Sequence, residues 1–386
     1  MGISSPSIRL GHRIMTSELS DAYLTLAHWC EPTDPVVVAS LEKWDALQVV
    51  EQIKRGVIKN RIRPETAHKI ANFSVSRERD YAHSIGANIV TRGDIGWPTQ
   101  LEKLNGDEPW ALWSLGSANF RLLSARSLSI VGTRACTTYG SGIARSWAAE
   151  FATEGLTVIS GGAIGIDVAA HQGALDVEAP TICILAGGVE SRYPRANEAV
   201  FGKILESGAI VSESPPREAP RRQRFLSRNR LIAGLSEASL IVEAANRSGT
   251  ETTARRAHEM NRLVMGVPGS VHSPASEGVH ELIRSGTALL VHSPGEVLEL
   301  MSARSANQEP LLESETRLTD KQDRDWRSLS QRELDVWESM PVRGAILVED
   351  LVEASGHSMS SVIGALSELE LTGRVAKDGF FWSRVV

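Results

Sequence analysis

The sequence predicts an α/β protein: a Rossmann-like, mostly parallel sheet with helices on both faces, preceded by a small helical domain and followed by a winged helix. Three observations carry this. Between Leu128 and Val291 short apolar runs recur, LSIVG, LTVISGG, TICILAGG, GAIVSES, SLIVEAA, LVMGVPG and TALLV, most closed by glycine or serine and most followed by a helical stretch. The text before Gly86 lacks strand alternation and reads as short helices. The text after Arg327 reads as three amphipathic helices and a terminal hairpin, the pattern of a winged helix-turn-helix.

Taken in order, residues 1–85 are expected to form the helical domain, with Trp29, Leu41, Trp44, Leu47, Val50 and Ile53 as buried positions. Residues 86–300 form the Rossmann-like domain, opening on a strand near Gly86, a Trp-Pro turn and a second strand at Trp110 to Leu115. Residues 301–327 are polar and aperiodic and are expected to be a flexible linker. Residues 328–386 form the winged helix, from Leu329–Ser339, Ile346–Ala354, Met359–Thr372 and GRVAKDGFFWSRVV.

A chain of 386 residues with 42% apolar and 23% charged residues has an ordinary soluble composition and room for two or three domains. No window approaches the roughly 18 apolar residues of a membrane span, and MGISSPSIRLGHRIM has no apolar core of signal-peptide type. The cytoplasm is the expected location. Cys30, Cys136 and Cys183 are odd in number, widely spaced and without a CxxC pair, and the ten histidines include no HExxH. Reduced thiols, no metal and no cofactor are expected.

Strands alternating with helices imply right-handed crossovers, which place ligands at the carboxyl ends of the strands. Each motif that bears chemistry follows a strand, so all converge on that edge. After the first run, Gly132 admits backbone N–H groups to an anion and Arg134 supplies charge, or the turn merely packs. After the second, Ser160, Gly161 and Gly162 open SGGAIGID, which lacks GxGxxG spacing yet offers amides to phosphate. Asp167 reads as a brace for that loop, and His171 as a packing or hydrogen-bonding residue.

The third motif is the densest. Arg217 to Arg230, REAPRRQRFLSRNR, holds six arginines and one acid in fourteen residues of a chain with net charge -6. Clustered guanidiniums are best tolerated where phosphates meet them, and Phe225 among them suits bases. With a helix beginning near Ser227, Arg222, Arg224 and Arg228 are expected to face phosphate. Asn229 and Arg230 are expected to orient the loop, with Arg230 partly structural. In the fourth motif Ser248, Gly249 and Thr250 stand at a helix N-terminus, a phosphate site or a bare cap.

The ordered set SIVGTR, SGGAIGID with AAHQGAL, Tyr193-Pro194, SESPP, FLSRNRLIAGLS, VEAANRSGTETTA, VPG and SEGVHELI closely resembles the DNA-processing protein A family, also called DprA or Smf, over roughly Gly86 to Leu298. The resemblance implies a non-catalytic protein that binds and protects single-stranded DNA and helps load the RecA recombinase in natural transformation or recombination. It also implies a homodimer formed through the Rossmann-like domain. By that likeness phosphate meets Gly132, Arg134, Ser160 to Gly162, the arginines before Phe225, Arg228 to Arg230, and Ser248 to Thr250.

Three positions depart from the family pattern. Leu226 replaces the proline of FPxRNR, which loosens the turn expected to aim Arg228. Glu251 replaces an apolar residue and needs Arg247 or Arg255 to neutralise it. His280 stands in an asparagine place. The third winged-helix segment has few basic side chains, which favours a protein or regulatory role over duplex binding. Two other readings stand beside the first. One is an enzyme or sensor for a small nucleotide, related to phosphoribohydrolases, whose PGGxGTxxE signature is missing here. The other is a metal-dependent nuclease built on Asp167, Glu213 and Glu243.

Overall fold

The computed structural model describes residues 17–58, 70, 72–246, 248–307, 329–341 and 344–384. Among the described residues four helices precede the sheet: α1 (Ser17–Trp29), α2 (Pro35–Leu41), α3 (Ala46–Lys54) and α4 (Val75–Ser84). Their starts are written in the sequence. Asp34 caps α2 by accepting from the Val36 amide at 2.9 Å, ahead of a proline whose missing N–H costs nothing there. Asp45 and Gln48 form a reciprocal capping box on α3.

The box fixes the phase of α3, so Ala46, Val49, Val50 and Ile53 share the buried face. Leu47 falls off that face at 40% exposure and Trp44 lies ahead of the helix at 37%, correcting the expectation that both are buried. The helices do not stand apart from the sheet. Trp29, Val49 and Ile53 join Trp110, Trp113 and Ile210 in one apolar core.

All seven apolar runs are strands: β3 (Ser127–Val131), β4 (Thr157–Ser160), β5 (Thr181–Ile184), β6 (Ala209–Ser212), β7 (Ala238–Ile241), β8 (Leu263–Gly266) and β9 (Leu289–Leu290). The two strands before them, β1 (Asn88–Thr91) and β2 (Ala111–Leu115), pair antiparallel with each other, and β2 pairs antiparallel with β6. Among the described residues these nine strands form one sheet in the order β1-β2-β6-β5-β4-β3-β7-β8-β9, parallel from β6 to β9. The order runs outward in both directions from the β3–β7 pair, so the chain reverses direction there. That pair is the topological switch point, where loops diverge and leave a crevice.

Helices cover both faces. α9 (Arg222–Leu235), α10 (Gly249–Glu259) and α11 (Glu277–Arg284) pack on Val131, Ile159, Ile184 and Ile241. On the opposite face, α6 (Thr138–Thr153), α7 (Ile166–Asp176) and α12 (Pro294–Asn307) meet Ile130, Val158 and Leu240. α8 (Glu198–Ser207) covers Cys183 and Ile210 beside the N-terminal helices. Successive strand residues thus alternate between two cores, as a doubly covered sheet requires.

α12 runs to Asn307, past the expected linker start at 301, because Met301 is buried in the α6 core. Residues 308–327 of that expectation lie outside the described residues. The winged helix comprises α13 (Gln331–Ser339), β10 (Ala345–Leu347), α14 (Val348–Ser355), α15 (Met359–Leu371), β11 (Val375–Asp378) and β12 (Phe381–Arg384). Its sheet has the order β10-β12-β11, and β10 is a strand the sequence pattern missed. The unit docks beside α5 (Phe120–Ala125), where Asn119 Nδ2 donates to the Ala354 carbonyl at 3.0 Å. α5 leads into the amino end of β3, so the winged helix lies away from the strands' carboxyl ends.

Candidate functional site

The segments after β3, β4, β5, β6 and β7 gather at the carboxyl edge, around the start of α9. That helix begins at Arg222, earlier than the expected Ser227. Leu226 is part of the reason: unlike proline, it supplies the N–H that continues a helix through this turn. The early start sets the phase. Arg224, Arg228, Leu231 and Leu235 share the inward face, while Arg222 and Leu226 face outward.

This corrects the expectation that Arg224 and Arg228 face phosphate. Arg224 is 4% exposed and donates from Nε and Nη2 to the two oxygens of Glu31, both at 2.7 Å, and from Nη2 to Glu218 at 2.9 Å. Arg228, 5% exposed, donates from Nη1 to the carbonyls of Gly161, at 2.6 Å, and Ile184. Arg230 forms a buried fork with Glu213, at 2.8 and 2.6 Å, and is wholly structural. Asn229 Nδ2 donates to the Gly249 carbonyl at 3.0 Å and so ties α9 to the start of α10. Helix α9 is therefore a buried polar strut that aligns the loops above it.

The glycine turns serve the same alignment. A Cβ on Gly132 would lie 2.5 Å from Ile166 Cγ1 and 2.8 Å from the Glu243 carbonyl, and that carbonyl already accepts from the Thr133 amide at 2.7 Å. Gly132 is thus a packing turn. Ser160 is fully buried and donates to the Ile130 carbonyl at 2.7 Å, so its hydroxyl is withdrawn from the edge. A Cβ on Gly161 would strike the Arg228 guanidinium. Gly162 has φ +68° with Cys183 and Phe201 against it, a place only glycine fills without strain.

Asp167 braces this loop through the Ala163 amide at 3.4 Å. Burial pushes its carboxyl up, opposed by the nearby Arg228 charge. His171 is fully buried and hydrogen-bonds Thr181 Oγ1 at 2.8 Å. Burial, and secondarily Arg228, pushes its imidazole down to about 3, so it is neutral at physiological pH. Glu243 accepts from the Thr137 amide and hydroxyl at 2.9 and 2.6 Å. Asp167, Glu213 and Glu243 therefore serve three separate internal networks.

What remains exposed is compact. Arg134 lies with its guanidinium 5.0 Å from the centre of the Phe225 ring. Phe225 meets Tyr193 edge-on at 6.0 Å, and Tyr193 is 51% exposed. Arg222 stands one turn before Leu226 with no ion-pair partner among the described residues. At the N-terminus of α10, Gly249 is exposed, whereas Ser248 Oγ is turned away from solvent and has no hydrogen-bond partner among the described residues. Thr250 is buried beside them. The first amides of a helix have no carbonyl partner within it, so this end carries positive potential and free donors.

The departures from the family pattern find local answers. Glu251 pairs with Arg255 at 2.6 Å, while Arg247 lies outside the described residues. His280 Nε2 lies 3.2 Å from the Gly269 carbonyl, bridging the loop after β8 to α11. Sequence reasoning missed Glu31, which lies 193 positions from Arg224, and no local pattern signals such a pairing. Tyr193 was legible as part of the Tyr-Pro motif, though nothing there marked it as a platform. No helix among the described residues is long and apolar enough to cross a membrane.

Comparison with known proteins points one way. The family described as DNA recombination-mediator protein A matches residues 88–302, and the DprA winged helix domain matches residues 323–378. A putative DNA processing protein DprA of Mycobacterium tuberculosis is 32% identical over 371 residues, covering 93% of this chain and 92% of that one. Among solved structures, DprA from Streptococcus pneumoniae aligns with TM-score 0.59 and 28% identity over 74% of this chain and 98% of its own. DNA processing protein A from Helicobacter pylori, described with a single-stranded DNA binding mode, aligns with TM-score 0.51 and 28% identity over 56% and 96%.

Proposed function

The chain belongs to the DNA recombination-mediator protein A family, and from that premise we propose that it binds single-stranded DNA, without catalysis, along the carboxyl edge of its sheet. The observation that carries the reading is the half-buried Phe225 ring flanked by exposed Arg134 and Tyr193 at the edge that also holds the N-terminus of α10. A base stacks on Phe225, and Arg134 adds charge over that ring. The backbone meets Arg222 and the backbone amides at the exposed Gly249 start of α10, which suit phosphate. Gly132, Ser160 to Gly162, Arg224 and Arg228 to Arg230 hold these groups in place from below. A duplex is disfavoured because its bases are already stacked and offer the rings no free face.

By the same membership we propose that the protein works in the cytoplasm as a homodimer, protects the strand and passes it to the RecA recombinase. A monomer mass by light scattering would remove the dimer from this reading. Unchanged RecA filament formation on single strands covered by a competing binding protein would remove the loading role.

The central test is fluorescence anisotropy with a labelled single strand and a duplex of equal length, across a salt series. The single strand is expected to bind more tightly, with log K falling by about 0.7 per log unit of salt for each phosphate neutralised. Phe225→Ala is expected to weaken binding roughly tenfold, the worth of one base–aromatic stack. Equal affinity for both DNA forms, with no effect of Phe225→Ala, would count against the reading.

A further inference from the structure

Next to Tyr193 lies an open groove of about 660 Å³ lined by Glu190, Arg192, Tyr193, Arg195, Glu198 and Pro220 among others. Its volume lies in the range of small-molecule sites, roughly 300–1,000 Å³, enough for a nucleotide with its base. The groove is built rather than left over. Asn197 Nδ2, itself buried, donates to the Gly162 carbonyl at 2.9 Å and fixes this wall to the loop after β4. Arg192 forks onto Glu198 at 2.9 and 2.5 Å, which neutralises both. Glu190 accepts from the Tyr81 hydroxyl and lies 3.6 Å from Arg217, so its charge is also answered.

Two groups are left over once these pairs are made. Arg195 is exposed and has no ion-pair partner among the described residues. Tyr193, 51% exposed, lies at a steep angle to Phe225 in an edge-to-face pair and lines the groove. A cation with no counter-ion beside an open aromatic ring is the pairing that receives a phosphate and its base together.

We propose that this groove is a second nucleotide subsite: a base stacks on Tyr193 and its phosphate meets Arg195, so the strand continues past Phe225 onto the segment between β5 and α8. The subsite rests on the single-stranded DNA reading given above and extends its path. Two stacking platforms held at 6.0 Å by the Tyr193–Phe225 contact define a direction along the edge, from Arg134 toward Arg195.

The test uses the full chain and oligothymidylates carrying one 2-aminopurine at successive positions. Wild type is expected to perturb the fluorescence strongly at two distinct registers. Tyr193→Ala loses one of them and about tenfold in affinity, Tyr193→Phe keeps both, and Arg195→Ala lowers the salt slope by about 0.7. Should Tyr193→Ala melt early, the Tyr193→Phe and Arg195→Ala results decide alone. If Tyr193→Ala and Arg195→Ala match wild type while Phe225→Ala weakens binding, the subsite is wrong and the DNA reading stands. If wild type shows no salt-sensitive binding of any single strand, both fall.

Discussion

Arg224 and Arg222 are two positions apart, yet the structure assigns them opposite consequences on replacement by alanine. Arg224→Ala removes the cation between Glu31 and Glu218, whose side chains are 13% and 20% exposed. Breaking a buried pair from one side typically costs about 3–5 kcal/mol, because the remaining charge keeps its desolvation penalty without its partner. Glu31 is not fully buried and keeps Arg221 Nη1 at 3.4 Å, so the lower end, about 3 kcal/mol, is appropriate. For a unit of this size that corresponds to a melting temperature lower by roughly 6–12 °C. Because Arg224 reaches no solvent at the edge, the salt slope of DNA binding, measured below the melting range, should stay that of wild type. Arg222→Ala should do the reverse, leaving the melt within about 1 °C, as exposed substitutions do, and lowering the slope by about 0.7. Calorimetry with anisotropy over a salt series reads both. Adding Glu31→Gln to Arg224→Ala should restore part of the lost stability by removing a largely buried carboxylate that has lost its two-pronged partner. If Arg224→Ala melts like wild type and lowers the salt slope, its guanidinium meets DNA in solution and the inward assignment is refuted.

Other outcomes follow from the same geometry. Glu78 is buried between α1, α4 and β2 and accepts from Trp113 Nε1 at 3.1 Å, with His28 Nδ1 3.9 Å away. Burial pushes its carboxyl up to about 7, an effect the Trp113 hydrogen bond partly offsets. An acid raised on folding contributes stability that is full below its unfolded pKa and lost as pH rises through the folded one. Glu78→Gln should therefore gain melting temperature over wild type progressively from pH 5 to 8, and a pH-independent difference would show that Glu78 does not titrate in that window. Gly161→Ala places a methyl 2.5 Å from the Arg228 Cζ, which cannot yield because its guanidinium is pinned by two carbonyls. It should destabilise by about 1–3 kcal/mol, the usual cost of overpacking. Gly249→Ala finds its nearest neighbour at 3.7 Å and should melt like wild type while weakening DNA binding through the methyl beside the α10 amides. A Gly249→Ala protein with unchanged affinity would remove that helix end from the DNA path.

By itself the sequence determined the strands and their common edge. Each strand is a short apolar run stopped by glycine or serine, and the helical stretches between them force parallel crossovers, so local composition and one topological rule suffice. The family was legible for the same reason, because eight motifs in fixed order need no coordinates. What only the tertiary structure decided was which charges face water. Six arginines in fourteen residues read alike, but α9 starts at Arg222, and that phase turns Arg224 and Arg228 inward. Their partners arrive from other parts of the chain, Glu31 from the loop after α1 and the Gly161 carbonyl from the loop after β4. The capping box that sets α3 exposes Leu47 by the same rule of phase. Helical phase and long-range pairing are collective: a guanidinium turns inward only where the packed chain supplies a carboxylate or carbonyl to meet it, and no local window contains that partner.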